Sequence, residues 1–378
     1  MFFYIAISIG LVVLLLVMGV LWLNRWTKKP DADYVLKFIA KNPERSSLSI
    51  LKNGKSLADV QSDQLFSLAS TVKIIIAIEY SQQAAHSEIN PDEKIKTDDL
   101  ARFYIPGTDG GAHEAWLNTM EEQGLLQNQT VSLKEIAKGM MSHSSNANTE
   151  FLMMRLGLDR INANFDKLQL FKHEQIYPFV SALFIPYEIA HQKGLDIHDK
   201  KDAKEIATYI ENMSQAAYIE ESIKLHDKLV QDFNGDYKRW VNIKAWHNIE
   251  FDRLASKRFV RSTTFEYVSI VRKMNEGLYF PFQIWEHLQP IMEWPMNGKK
   301  NQKRFKSLGG KGGSTAYILT YAFYAEDKQG NKTELAVFFN DIYGYETIKL
   351  LNSSSAFQSA VLTGSSDWED KLKAFFDG

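Results

Sequence analysis

The alternation of apolar and polar residues predicts a β-hairpin near each end of the chain. Residues 47–52 lead into the turn Asn53-Gly54-Lys55, where Asn and Gly favour the positive φ angles of a tight hairpin. Towards the other end, the segments Thr315–Ala325 and Glu334–Asn340 flank a polar turn at residues 327–331. Both hairpins are therefore expected to contribute strands to an antiparallel sheet.

The middle of the chain has helical periodicity. Residues 71–84 are apolar through their centre and too long for a typical strand, which predicts a buried helix that begins near Ser70. Residues 131–157 predict two helices joined by the polar cluster SHSSNAN, and residues 196–232 predict helices with one apolar face. Terminal helices are expected from about Glu346.

These elements predict an α+β fold, in which an antiparallel sheet is flanked by helices and an all-α lobe lies between its two halves. We expect an anchor and its flank at residues 1–29 and one large domain at residues 30–378. In that domain, the sheet is expected to use residues of about 40–68 and 300–378, and the helical lobe about 70–299. An extra helical insertion is expected at about 190–259.

The amino terminus predicts a membrane anchor. Residues 1–23 contain no charged side chain and are long enough, as a helix, to cross about 30 Å of hydrocarbon. A cleavable signal peptide has a basic start and a shorter apolar run, so an uncleaved single-pass helix is expected. The positive charges of Arg25, Lys28 and Lys29 follow the span and by themselves favour a cytoplasmic domain.

Charge and composition exclude several classes of function. Forty-four Lys and Arg residues against forty-six Asp and Glu residues give a net charge of -2, so no nucleic-acid partner is expected. The chain has no Cys, which excludes thiol nucleophiles, thiolate metal sites and disulfides. Its nine His residues show no ligand spacing such as HExxH, so we expect neither a metal nor another cofactor.

The first candidate for chemistry is Ser70-Thr71-Val72-Lys73, at the start of a predicted helix, where residues three apart share one face. A Ser hydroxyl is a weak nucleophile at neutral pH, and Lys can be its base if burial or another cation lowers the Lys pKa. A second copy of this pattern, Ser49-Ile50-Leu51-Lys52, lies in a predicted strand, where residues three apart point to opposite faces. On its own, Ser70 is more typical of a helix N-cap.

Two further motifs follow in order. Ser144-Ser145-Asn146 lies at the predicted helix junction, and Lys311-Gly312-Gly313-Ser314 lies at the start of a predicted strand. A site built on Ser and Lys needs a second hydroxyl to relay a proton, an amide to hold the Lys and the substrate, and a cation for a substrate carboxylate. Ser144, Asn146 and Lys311 can supply these groups. Taken singly, the two motifs are as typical of a polar helix cap and a glycine bend.

The glycines of the third motif suggest a further feature of the site. Because Gly312 and Gly313 carry no side chain, a ligand can approach this strand edge closely. The backbone N–H of Ser314 could then form an oxyanion hole together with the N–H of Ser70.

Together the three motifs resemble the S-x-x-K, S-D-N and K-T-G signature of class A β-lactamases and penicillin-binding proteins. The resemblance extends to LASTVKI, PGTDGGAH, SSNANTEFLMMRLG, STTFEYVSIVRKMNEG and LGGKGGST. It covers the chain from about Ser47 to Gly364, except for about Ala190 to Phe259. It implies a β-lactamase/transpeptidase-like fold, with catalytic residues Ser70, Lys73 and Ser144 and substrate-binding residues Asn146, Lys311, Gly313 and Ser314.

The sequence departs from the family pattern in several places. Ser145 stands where the family has Asp, and Gly312 replaces the usual Thr or Ser. The Glu-x-x-Leu-Asn loop, whose Glu activates the deacylating water in class A enzymes, is absent between residues 156 and 193. Glu174 and Glu188 are the carboxylates available there, and we expect both to be solvated or structural. The deacylation base therefore stays open.

The resemblance implies a membrane-anchored serine hydrolase that forms an acyl-enzyme with amide or lactam carbonyls, as in β-lactam hydrolysis. Three alternatives stay open: a D,D-peptidase or penicillin-binding protein acting on peptidoglycan peptides, an esterase with the same Ser-Lys pair, and a non-turnover wall or β-lactam sensor. The expected partners are a small β-lactam or cell-wall peptide, and the lipid bilayer through residues 1–23. Because such substrates lie outside the cell, we expect a single-pass protein of the bacterial cell membrane with an extracytoplasmic catalytic domain.

Overall fold

A computed structural model of the protein describes residues 2–364 and 366–376, without the side chains of residues 2–10, 12 and 366. Its strands are β1 (Ser46–Lys52), β2 (Lys55–Val60), β3 (Phe66–Ser67), β4 (Lys94–Lys96), β5 (Thr130–Ser132), β6 (Arg261–Ser262), β7 (Phe305–Ser314), β8 (Leu319–Asp327) and β9 (Lys332–Phe339). In this part of the chain, an antiparallel five-stranded sheet has the order β2-β1-β9-β8-β7. Two short ladders pair β3 with β6 and β4 with β5.

Both predicted hairpins are confirmed. Asn53 and Gly54 join β1 to β2 with φ angles of 50° and 77°, as a tight two-residue hairpin turn requires. The second hairpin pairs β8 with β9, and Leu319 lies opposite Phe339. The expectation that Lys311 begins a strand is wrong, because β7 begins at Phe305. The glycine-rich part of β7 has no alternating apolar pattern, and its pairing with β8 keeps it extended.

Helices occupy most of the remaining described chain. They are α1 (Phe2–Lys28), α2 (Ala32–Lys41), α3 (Lys73–Ala85), α4 (Thr97–Ala101), α5 (Ala112–Glu122), α6 (Leu133–Ser142), α7 (Asn146–Leu156), α8 (Leu158–Asn162), α9 (Asn164–Leu168), α10 (Ile185–Lys193), α11 (Lys200–Asn212), α12 (Gln215–Gln231), α13 (Asp236–Val241), α14 (Ile249–Arg258), α15 (Thr264–Glu276), α16 (Phe282–Met292), α17 (Lys299–Arg304), α18 (Tyr345–Thr363) and α19 (Ser366–Phe376). Short 3₁₀ turns lie at Pro43–Arg45, Ala69–Val72, Ser181–Phe184, Ile243–Ala245 and Trp294–Asn297.

The helices predicted from periodicity are confirmed. The segment expected to begin near Ser70 starts as the 3₁₀ turn Ala69–Val72 and continues as α3. The polar cluster lies at the junction of α6 and α7, and α11 and α12 occupy the segment with one apolar face. The α+β architecture with an antiparallel sheet and many helices is therefore as expected.

The two faces of the sheet belong to two different apolar cores. Side chains alternate along a strand, so odd and even positions of β8 and β9 point to opposite faces. Tyr324 and Phe338 join the core of the helical lobe, where α3 is buried. Phe323 and Val337 join a smaller core with α2, α18 and α19. Burial on both faces fixes the strand register, since a slip of one residue would exchange the two sets.

The predicted membrane span lies within α1. Much of the predicted span at residues 1–23, namely the side chains of residues 1–10 and 12, lies outside the described residues. Among the helical residues that are described, no helix combines the length and the apolar character needed to cross a bilayer.

The carboxyl end of α1 is held against α18. Lys349 is buried and its Nζ donates to the carbonyl oxygens of Trp26 at 3.0 Å and Lys29 at 2.7 Å. Asn352 Nδ2 donates to the carbonyl oxygen of Thr27 at 3.1 Å. The last carbonyl groups of a helix have no hydrogen-bond donor within the helix, and the side chains of Lys349 and Asn352 supply these donors.

Candidate active site

Ser70 lies in the 3₁₀ turn that precedes α3, at the boundary between the sheet and the helical lobe. Its side chain is half-buried, whereas Thr71 and Lys73 are buried. The preceding residue, Ala69, has a φ angle of 44°, in the left-handed region that an L-residue with a Cβ atom enters at a cost of about 1 kcal/mol or more. This conformation turns the chain sharply just before the hydroxyl group.

Lys73 is fully buried and its amino group faces the second motif. Its Nζ donates to the carbonyl oxygen of Ser144 at 2.8 Å, to Ser144 Oγ at 3.3 Å and to Asn146 Oδ1 at 3.0 Å. Among the described residues, the Ser70 hydroxyl makes no hydrogen bond of its own. The amine that the sequence pairs with Ser70 is therefore held by Ser144 and Asn146 in this structure.

The electrostatic surroundings favour a neutral amine at Lys73. Burial lowers the pKa of Lys73 well below its ordinary value, and the nearby positive charge of Lys311 lowers it further. Asp109 and Glu150 act in the opposite direction but do not reverse the shift. A neutral amine beside a Ser hydroxyl has the lone pair that a general base requires.

Ser144 and Ser145 have different surroundings although they are neighbours. Ser144 has a φ angle of 68° and turns its hydroxyl towards Lys73 and the cavity beside Ser70. Ser145 is buried and caps α7, since its Oγ accepts a hydrogen bond from the Asn148 N–H at 3.2 Å. Ser145 Oγ also lies 2.9 Å from Nδ1 of the buried His113. The family's Asp position is thus occupied here by a helix cap.

Lys311 differs from the expected substrate-binding cation. It is buried, its Nζ donates to the carbonyl oxygen of Gly312 at 2.5 Å, and it is not among the residues that line the cavities at Ser70. Burial lowers the pKa of Lys311 to about 7. Its clearest electrostatic effect in the structure is on Lys73.

The end of β7 forms the wall opposite the 3₁₀ turn. The backbone of Gly313 lies against the turn so closely that an added Cβ atom would be 2.4 Å from Ser70 N and 2.9 Å from the carbonyl oxygen of Leu68. Thr320, opposite Gly313 on β8, donates from Oγ1 to the same Leu68 oxygen at 2.6 Å. The next residue, Ser314, is exposed.

A cavity of about 470 Å³ collects residues from all three motifs. Its lining includes six residues of the motifs, namely Ser70, Ser144, Asn146, Gly312, Gly313 and Ser314. The other lining residues are Thr108, Asp109, Gly110, His143, Thr315, Leu319, Tyr321 and Leu351. The structure therefore brings six residues of the sequence motifs to one surface. The motifs alone gave no signal for the contributions of Tyr321 and Leu351, which lie on β8 and α18.

A second cavity, of about 290 Å³, is also lined by Ser70. Ser70, Asn146 and Ser314 line both cavities, and the second is closed by side chains from the 3₁₀ turn Ser181–Phe184, from α12 and from α14. Neither cavity is lined by the aromatic residues Trp240, Trp246, Tyr279, Trp285 and Trp294.

The two Glu residues considered as deacylation bases are engaged elsewhere. Glu174 accepts hydrogen bonds from Arg261 Nε at 2.9 Å and from the Arg261 backbone N–H at 3.0 Å. Glu188 accepts from Tyr237 OH at 2.7 Å and from Lys228 Nζ at 2.8 Å. Neither residue lines a cavity at Ser70, in agreement with their expected structural role.

The sequence and the fold are similar to those of known proteins. A model described as the beta-lactamase enzyme family matches residues 32–224. The fold is similar to a β-lactamase from Chitinophaga pinensis at 12% identity and a TM-score of 0.50, covering 87% of this chain and 99% of that one. A class A β-lactamase representative from Bacteroides cellulosilyticus matches at 16% identity and a TM-score of 0.50, covering 87% and 96%.

A β-lactamase from Sphaerobacter thermophilus matches at 14% identity and a TM-score of 0.50, covering 88% of this chain and 97% of that one. Identities this low establish a similar fold and carry no residue roles. A search of curated proteins finds no match to the sequence.

Proposed function

The chain belongs to the beta-lactamase enzyme family and is a serine hydrolase, and from this premise we propose that it opens β-lactam rings by acylation of Ser70. The observation that carries the proposal is the buried Lys73 amine, which donates to Ser144 and Asn146, two residues that line a cavity together with Ser70. The lowered pKa of Lys73 suits the role of proton acceptor.

In the proposed acylation, the Lys73 amine accepts the Ser70 proton as Oγ attacks the lactam carbonyl carbon. The carbonyl oxygen becomes an oxyanion, which the backbone N–H groups of Ser70 and Ser314 stabilise. The C–N bond of the ring then breaks, and the Ser144 hydroxyl relays the proton from Lys73 to the leaving nitrogen. The product is an ester between Ser70 and the opened lactam.

The remaining motif residues are proposed to bind the substrate. Asn146 holds Lys73 through its Oδ1 and leaves its amide nitrogen for a substrate carbonyl. Gly313 and Ser314 present the strand edge to the acyl group. Lys311 lies behind that edge, where its charge keeps the pKa of Lys73 low and attracts the carboxylate of the substrate.

We further propose that the acyl-enzyme is hydrolysed slowly. Glu174 and Glu188 are held by Arg261 and by Tyr237 with Lys228, so neither is available to activate water at Ser70. This arrangement favours, as a second candidate function, a penicillin-binding enzyme whose own substrate is a peptidoglycan peptide and which β-lactams trap.

The experiment is labelling with a fluorescent penicillin, followed by intact-protein mass spectrometry over time. Wild-type protein is expected to gain the mass of one penicillin, and Ser70→Ala none, with Ser49→Ala as the control from the other S-x-x-K copy. Equal labelling of wild type and Ser70→Ala would reject the proposal. A mass increment that lasts supports the penicillin-binding function, and one that decays within minutes supports β-lactam hydrolysis.

Membrane anchoring is a separate proposal that rests on the sequence of residues 1–23. In the described part of α1, Leu14, Leu16 and Trp22 are exposed apolar side chains that a lipid phase would cover. We propose that this helix holds the catalytic domain at the outer side of a bacterial cell membrane.

Extraction of membranes with alkaline carbonate should leave the full chain in the pellet and release a chain lacking residues 1–23. Protease digestion of intact cells tests the orientation, and a fully protected domain would reject it.

A further inference from the structure

The second cavity at Ser70 has the character of a binding site for the acyl part of a substrate. Its apolar lining includes the four aromatic residues Tyr177, Phe179, Tyr218 and Phe259. Tyr177 and Tyr218 pack edge to face at 5.9 Å, and Phe179 and Phe259 lie 4.7 Å apart, so the aromatic wall of the cavity consists of two packed pairs. Its volume of about 290 Å³ is ample for a ring, because an apolar cavity of about 150 Å³ can hold benzene.

One side of this cavity comes from outside the part of the chain that matches the family. The family model ends at residue 224, whereas His247, Asp252 and Phe259 lie beyond it, on or next to α14. The sequence resemblance also excludes this stretch. The wall formed by α14 therefore lies outside the part of the chain that matches the family model.

Hydrogen bonds of Ser256 and Arg258 hold α14 against the site. Ser256 Oγ lies 2.9 Å from Thr315 Oγ1, one residue beyond Ser314. Arg258 donates to the carbonyl oxygens of Ile210 at 2.6 Å and Met213 at 2.6 Å, at the end of α11. The carbonyl oxygen of Arg258 in turn accepts from Tyr177 OH at 2.7 Å. The helix is thus fixed to the strand edge and to the aromatic wall.

Asp252 gives this apolar cavity a charge. Among the described residues that line the cavity it is the only carboxylate, and no Lys or Arg lines it. Asp252 Oδ1 accepts a hydrogen bond from His247 Nε2 at 2.7 Å, and half of the Asp252 side chain remains exposed. His247 Nδ1 is buried without a partner among the described residues. The ring therefore serves Asp252 as an N–H donor through Nε2.

We propose that this cavity selects substrates whose acyl group carries an apolar side chain of ring size bearing a protonated amine. The aromatic wall would bury the ring and Asp252 would accept the ammonium group, while His247 orients the carboxylate. This inference rests on the proposed acylation of Ser70 and names the substrate class of the same site.

The test compares three penicillins with the same phenyl side chain: benzylpenicillin, ampicillin, which adds an α-ammonium group, and carbenicillin, which adds a carboxylate. Second-order rates of Ser70 acylation are measured on the full chain near pH 6.5, where an α-amine is mostly protonated. Ampicillin is expected to react fastest and carbenicillin slowest. The rate with each of them should differ from the benzylpenicillin rate by up to about five-fold, because a partly exposed pair of charges interacts weakly.

Asp252→Asn keeps the shape of the side chain and should bring the ampicillin and benzylpenicillin rates together. Glu250→Gln is the matched control, because Glu250 lies in the same first turn of α14, is exposed and does not line the cavity. It should leave the ratio of the two rates unchanged. The order of the three acylation rates is measured on wild-type protein, so it tests the proposal even if Asp252→Asn is poorly folded.

Several outcomes would overturn the proposal. Equal wild-type rates with all three penicillins would reject the recognition role and leave acylation of Ser70 intact. A ratio that survives Asp252→Asn while hydrolysis of the acyl-enzyme slows would assign Asp252 to deacylation instead. Absence of any label on Ser70 would reject the proposed function and this inference together.

Discussion

The backbone of Gly313 is in direct contact with the backbone of Ser70, and a Cβ atom at residue 313 would lie 2.4 Å from the Ser70 nitrogen. The two residues are far apart in the sequence and come from β7 and from the 3₁₀ turn before α3. A contact this close leaves no space for a side chain, so the approach of the strand to the turn depends on glycine.

Gly313→Ala should therefore push the strand away from Ser70. Acylation by a penicillin is expected to fall by about 100-fold or more, since displacements near 1 Å at a reacting centre have effects of that size. Gly298→Ala is the control, because a Cβ atom there would lie 3.4 Å from its nearest neighbour and its φ angle is not positive. Acylation at the wild-type rate in Gly313→Ala would show that the contact is not needed.

Lys73→Met removes the proposed base while keeping an unbranched side chain. We expect acylation to fall by about 100-fold to 10,000-fold, the usual range for loss of a general base. In wild type, the base acts only when unprotonated, so the acylation rate should rise with pH and reach its plateau below the ordinary pKa of Lys, because burial lowers the pKa of Lys73. Stopped-flow acylation rates across pH measure this. A rate that keeps rising through pH 10.5 would contradict the lowered pKa.

Lys311 should act on the same pH profile through its charge. Below about pH 7, where Lys311 is charged, it lowers the pKa of Lys73, so Lys311→Met is expected to raise that pKa and to move the acidic limb of the acylation profile to higher pH. Lys311→Arg keeps the positive charge and should leave the part of the limb below about pH 7 close to its wild-type position. If both variants shift the limb equally, the effect comes from packing and not from charge.

Substitutions of the neighbouring residues Ser144 and Ser145 should affect different properties, the acylation rate in one case and the stability in the other. Ser144→Ala removes a hydroxyl beside Lys73 and should slow acylation with little change in thermal stability. Ser145→Ala removes the cap of α7 and the partner of His113, and should lower the free energy of unfolding by about 1 kcal/mol. Acylation rates and thermal denaturation of the two variants provide the comparison. A loss of acylation in Ser145→Ala as large as that in Ser144→Ala would place Ser145 in the site.

Local patterns in the sequence were sufficient for much of the fold. The turn residues Asn53 and Gly54 predict the first hairpin because few other residues adopt two positive φ angles in succession. The apolar periodicity of residues 71–84 predicts a buried helix, and α3 is that helix. In contrast, β7 could not be predicted over its full length, because its glycines carry no apolar pattern and only pairing with β8 defines the strand.

The sequence by itself determined the order and type of the candidate groups, since a hydroxyl three residues before a Lys at a helix start is a local feature. Only the tertiary structure decided where these groups meet. It turned Lys73 towards Ser144 and Asn146, buried Lys311 behind the strand edge, and placed Asp252 of α14 in a cavity with Ser70. Such contacts join residues that are distant along the chain, and they depend on how strands and helices pack, which short-range periodicity does not encode.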